Sequence, residues 1–92
     1  MAKITTWKKL IGSELAKHGE SFADIVSITL SEDELLKEFD SGYGSVAGKA
    51  FTAWTHNRVY FPTAYDGAEW VRSVSRSPDG WPTPHIGGDD DV

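Results

Sequence analysis

The stretch from Phe51 to Val74, FTAWTHNRVYFPTAYDGAEWVRSV, constrains the fold most, because aromatic and β-branched residues recur in it at strand spacing between two turn signals. It reads as a three-stranded antiparallel meander. His56-Asn57 closes the first hairpin as a two-residue loop, and Asp66-Gly67 closes the second, where a type I′ turn needs positive φ at both central positions. This register pairs Trp54 with Val59, Thr52 with Phe61, Tyr65 with Ala68, Thr63 with Trp70, Phe61 with Arg72 and Val59 with Val74. Trp54, Val59, Phe61, Trp70 and Val74 then share one face, which is the expected core. The other face carries Phe51, Ala53, Arg58, Tyr60, Pro62, Glu69, Val71 and Ser73, a mixture suited to a half-solvated surface or a partner. Pro62 falls in the middle strand without a backbone N–H, which predicts a bulge there or shifted pairing after Phe61.

The residues before the meander read as short helices. After Thr5 and Thr6, the residues Trp7, Leu10, Ile11, Leu15 and His18 recur on one side of a helical pattern that Gly19 stops. Gly12 lowers helix propensity by about 1 kcal/mol relative to alanine, and so marks close packing of this helix on the sheet. Ser21 with Asp24 has the form of a capping box and predicts a second helix through Phe22, Ile25 and Val26. Alternation of Val26, Ile28 and Leu30 with Ser27 and Thr29 makes a strand the competing assignment. Leu30-Ser31-Glu32-Asp33-Glu34-Leu35 is the best local signature: Ser31 as N-cap, Glu34 answering it three residues on, and Leu30 stapled to Leu35. Leu35, Leu36 and Phe39 supply the buried side of that helix before Asp40.

The expected fold is therefore α+β, with N-terminal short helices over about residues 6–40 packed on one face of a sheet over about 51–76. The domain spans 1–84, and 85–92 form a flexible acidic tail. A chain of 92 residues buries only about two-thirds of its unfolded surface, so its four Trp, four Phe and three Tyr must make a compact core. Cysteine is absent from the sequence, which excludes disulfides, thiolate metal sites and thiol nucleophiles and suits a reducing cytoplasm.

The net charge is −5, which argues against direct binding of nucleic acid, because phosphate-backbone affinity depends on Lys and Arg displacing counterions. The excess is clustered at Glu32, Asp33, Glu34, Glu38 and Asp40, and again at Asp89 to Asp91. A solvated helix face and a solubilising tail explain these clusters, as does an acidic patch meeting a basic surface on a protein partner. Carboxylates in a first helical turn also complement the helix dipole. The glycine-bearing segment 41–49 is a connection and not a phosphate loop, since Gly44, Gly48 and Lys49 lack Walker spacing and precede a strand. After Val74, three prolines prevent a continued ladder, and Trp81 is expected to fold back onto the sheet as an aromatic anchor.

No constellation points to catalysis. His18, His56 and His85 lie on different elements without companion ligands at metal-site spacing, so neither a metal nor another cofactor is expected. Asp66 belongs to its turn and Glu69 to a wet strand face, and no serine sits in an elbow or an S-x-x-K motif. What remains is recognition by surface: the acidic helix from Glu32 to Asp40, the outer sheet face at Arg58, Tyr60 and Glu69, and the loop aromatics Tyr43 and Tyr65.

The blocks Trp54-Thr55, Arg58-Val59-Tyr60-Phe61-Pro62 and Tyr65-Asp66-Gly67-Ala68-Glu69-Trp70-Val71, with Glu38-Phe39-Asp40 and Gly42-Tyr43-Gly44 before them, resemble small proteins encoded by phages and prophages. In size and charge the chain is similar to anti-CRISPR proteins, a diverse group without a shared motif. The resemblance implies a non-enzymatic inhibitor, acting in the host cytoplasm, that binds a Cas effector and blocks nucleic-acid access. The alternative expectation is a phage structural or accessory interaction domain that self-associates.

Overall fold

The computed structural model describes residues 3–44 and 46–86; from residue 87 on, the expected acidic tail lies outside them. The chain is α+β. In order it forms β1 (Ile4–Thr6), α1 (Trp7–Lys17), a single 3₁₀ turn (Phe22–Asp24), β2 (Ile25–Ile28), α2 (Glu32–Leu36), β3 (Glu38–Asp40), β4 (Ala53–Thr55), β5 (Arg58–Tyr65) and β6 (Ala68–Ser75). The strands make two antiparallel sheets, one of four strands in the order β2-β4-β5-β6 and one pairing β1 with β3.

The meander forms in the expected register, with Trp54 opposite Val59, Phe61 opposite Arg72 and Thr63 opposite Trp70. Its turns use different chemistry. Asp66 and Gly67 adopt φ of 50° and 85°, the left-handed pair that a type I′ turn requires. The His56-Asn57 loop contains no residue with positive φ. There the Thr55 hydroxyl accepts the backbone N–H groups of Asn57 and Arg58 at 3.2 and 3.0 Å, so a side chain fixes the bend.

Three expectations about the sheet need correction. The meander gains a fourth strand, because β2 pairs with β4 through a register shift between Ile25 and Ser27. Pro62 causes neither bulge nor slip, and pairing runs unbroken through Pro62–Val71. Since the Tyr65–Ala68 pair flanks a two-residue turn, residues 60, 62 and 64 direct their amides away from β6. β4 pairs with β5 only as far as Ala53–Tyr60, so nothing opposite Pro62 requires an N–H.

The third correction is the largest: the buried face is the one expected to be wet. Phe51, Ala53, Thr55, Tyr60, Glu69, Val71 and Ser73 are buried, together with Trp7, Ile11, Glu14 and Leu15 of α1. Helix α1 packs against β6 on this side. Small residues at positions 53, 55 and 73 leave room for Ile11 and Leu15, each fully buried and each stabilising the fold by about 2 kcal/mol. Trp7 sits at the centre, 4.8 Å from the Phe39 ring and 4.9 Å from the Phe51 ring.

The helical region also departs from expectation. Thr6 caps α1 by accepting the Lys9 amide, and Gly19 follows with φ of 70°. Gly12 packs beside Phe22 and not on the sheet, since a Cβ there would lie 3.5 Å from the Phe22 ring. The Ser21–Asp24 capping box is present, yet it starts one turn only, and the competing strand takes over at Ile25. The Ser31–Glu34 box holds α2, which ends at Leu36, and Leu36 is exposed. The next residues, Glu38–Asp40, extend as β3 along β1 instead of continuing the helix.

Candidate functional site

With α1 on the Tyr60 face, alternation along the strands puts Trp54, Val59, Phe61, Thr63, Tyr65, Trp70, Arg72 and Val74 on the opposite face of the four-stranded sheet. Among the described residues, no helix covers it. The apolar groups that pack against the buried cluster from its margin are Leu10, Phe22, Ile25, Ile28, Leu35 and Phe39, all from outside β4, β5 and β6. Trp54, Phe61 and Trp70 remain half-buried, and Tyr65 is exposed. Val26, on the neighbouring edge strand β2, is also exposed.

The inner face carries polar groups, and hydrogen bonds account for their burial. Glu69 accepts the amides of Ala47 and Gly48 at 2.8 and 3.0 Å, while its own N–H donates to the Ser41 carbonyl. Gly48 must be glycine to approach so closely, as a Cβ would lie 2.5 Å from Cζ2 of Trp7. The Trp7 indole donates to the Lys49 carbonyl at 2.9 Å, pinning the same segment a second time. Tyr60 donates to Glu20 Oε1 at 2.5 Å, and burial first and this bond second push its phenol well above the ordinary tyrosine range. Arg58 donates to Ser73 Oγ and O, and Ser73 donates onward to Glu14, which also meets His18.

The residues nominated for partner binding therefore separate into three groups. Tyr60 and Glu69 are buried and Arg58 is half-buried and bonded to Ser73, so the surface these three were expected to form is interior. Glu34 and Asp40 have structural partners. Glu34 pairs with Lys49 and caps Ser31, and these contacts hold its carboxyl down at about 2. Asp40 accepts the amides of Lys3 and Gly42, which keep it below the usual carboxylate range.

The remainder face solvent. Glu32, Asp33 and Glu38 are exposed, as are Tyr43 and Tyr65, and Gly44 and Val46 lie with Tyr65 beside the Asp66-Gly67 turn. Trp81 is 81% exposed, so it stands off the sheet instead of anchoring to it.

Sequence reasoning missed Trp54, Phe61 and Trp70 as surface residues because it gave the core to the face with the larger apolar side chains. The available signal lay elsewhere, in the small residues Ala53, Thr55 and Ser73 that a packed helix needs beneath it. The described residues contain no group of three His, Asp or Glu able to hold a metal and no helix long and apolar enough to cross a membrane. No protein-family model, curated protein or solved structure matches the chain.

Proposed function

We propose that this chain is a non-enzymatic, phage-derived inhibitor that docks on a host defence complex through the uncovered face of its four-stranded sheet. One observation carries the reading: Trp54, Phe61, Tyr65, Trp70 and Arg72 share a face that no helix covers among the described residues. Aromatic residues and arginine are the types that dominate the energetics of protein interfaces. Glu32, Asp33 and Glu38 add exposed negative charge that would steer the protein toward a basic, nucleic-acid-binding groove. The expected target is a Cas effector, on the strength of the resemblance to small phage proteins and the net charge of −5.

The test adds purified protein to each Cas effector of the host and measures target-DNA binding and cleavage. Inhibition that is lost in the Trp70→Ser variant, with its folded spectrum intact, supports the proposal. Effectors that bind and cleave normally at saturating protein would end it. The same open face also favours a second reading, in which two copies pair face to face as an isologous dimer of an accessory protein. Light scattering separates the two, since a stable symmetric oligomer indifferent to Cas proteins supports only the second.

A further inference from the structure

All three arginines of the chain, Arg58, Arg72 and Arg76, line one groove of about 430 Å³ between α1, the end of β6 and segment 77–84. No lysine lines it. A chain with net charge −5 thus places every guanidinium it has on a single concavity, against two carboxylates, Glu14 and Asp79. Guanidinium differs from ammonium in offering a planar fork that matches phosphate oxygens two at a time.

Two of the three arginines are held ready by uncharged acceptors. Arg58 donates Nε–H to Ser73 Oγ at 2.8 Å and Nη2–H to the Ser73 carbonyl at 3.1 Å. Arg76 donates Nη1–H to the Thr55 carbonyl at 2.8 Å. Both retain further N–H donors, and neither is ion-paired with a carboxylate among the described residues. The groove's carboxylates have partners other than the arginines: Glu14 is buried against His18, Ser73 and Lys17, and Asp79 accepts the Trp81 amide. Among the described residues the groove sets three guanidinium groups against two carboxylates, a balance that favours an anion.

Trp81 lines the same groove and is 81% exposed, an arrangement that gives its ring no part in the core. An indole held out beside arginines offers a flat surface on which a planar ring can stack. We propose that this groove binds a small ligand that joins a phosphate to a planar ring, the chemistry of a mononucleotide. The phosphate lies against Arg58 and Arg76, and the ring lies on Trp81. A volume of about 430 Å³ suits a ligand of that size, whereas the overall negative charge disfavours a polynucleotide. The groove shares Arg72 and Val74 with the aromatic sheet face, but the phosphate and ring contacts are assigned to Arg58, Arg76 and Trp81, so either assignment can fail alone.

The experiment titrates the full chain by calorimetry at low salt with the 5′-monophosphates of adenosine, guanosine, cytidine and uridine. Adenosine and inorganic phosphate are titrated in parallel. At least one nucleotide should bind about tenfold or more tightly than either part alone. Arg76→Gln should weaken nucleotide and phosphate alike by about tenfold, while Trp81→Ala should weaken the nucleotide alone. Trp81 is exposed, so its replacement leaves the fold intact and keeps the test valid should Arg76→Gln unfold. No heat from any of the four at about 10 mM, or binding unmoved by both substitutions, would overturn the proposal.

Discussion

Glu69 shows how a single polar residue can decide which face of a sheet is dry. It alternates with apolar neighbours in a pattern that makes it look solvated, yet its carboxylate collects two backbone amides from segment 46–49 and becomes part of the core. Removing it would leave both amides without their acceptor beside the buried Trp7. Glu69→Ala should lower unfolding free energy by about 2–3 kcal/mol, and Glu69→Gln by about half as much, because the amide keeps one acceptor oxygen. Urea denaturation of the three proteins checks this ordering.

Tyr60 offers a second test at this scale. Its proton is held more tightly in the folded state than in the unfolded one, where the pKa is about 10. The stabilisation is complete below that value and is lost as pH rises through it toward the higher folded value. Alkaline unfolding should begin near the ordinary tyrosine range, and Tyr60→Phe should remove that part of the pH dependence. A variant with the unaltered alkaline limb would refute the link between Tyr60 and Glu20.

Elements with reciprocal local chemistry were legible in the sequence. The Ser31–Glu34 box and the Asp66-Gly67 turn each depend on residues within four positions of one another, and each formed as expected. Helix length was not legible in the same way. Nothing between Leu36 and Phe39 breaks a helix, and β3 exists because Ile4–Thr6, more than thirty residues away, offers it an edge. Short segments follow their tertiary neighbours when propensity is neutral. Strand β2 has the same origin, since β4 lies free on the side away from β5.

Helix α2 carries its own prediction. The Lys49 ammonium and the Ser31 amide lower the Glu34 pKa to about 2, so the support Glu34 gives α2 is present above the normal carboxylate range and fades as pH falls toward that value. A carbon-detected NMR titration should find Glu34 as an acid-shifted glutamate, and Lys49→Met should move it back up. A midpoint near 4.3 in the unaltered protein would show that the ion pair does not form.

For the molecule as a whole, the register of the meander could be read from two turns, but its orientation could not. A slip in register and a choice of face are different problems: turns settle the first, and only the helix that lands on the sheet settles the second. Large aromatics were assigned to the interior by size, and the chain instead leaves Trp54, Phe61 and Trp70 half-buried and places Tyr60 inside with a hydrogen-bonded hydroxyl. Apart from Tyr65, nominated as a loop aromatic, the candidate site was invisible for that reason, because Trp54, Phe61 and Trp70 are residues that size alone would bury. The acidic residues were easier to locate, and two of them, Glu34 and Asp40, proved to have structural work.

Phe61 and Val71 lie in adjacent strands and point to opposite sides of the sheet, so a lysine at each distinguishes the faces most directly. Thermal melts of Phe61→Lys and Val71→Lys provide the measurement. With the Trp54 side open, Phe61→Lys should fold with a modest drop in Tm, while Val71→Lys, which buries an unpaired ammonium beneath α1, should not fold. A folded Val71→Lys beside an unfolded Phe61→Lys would contradict the account.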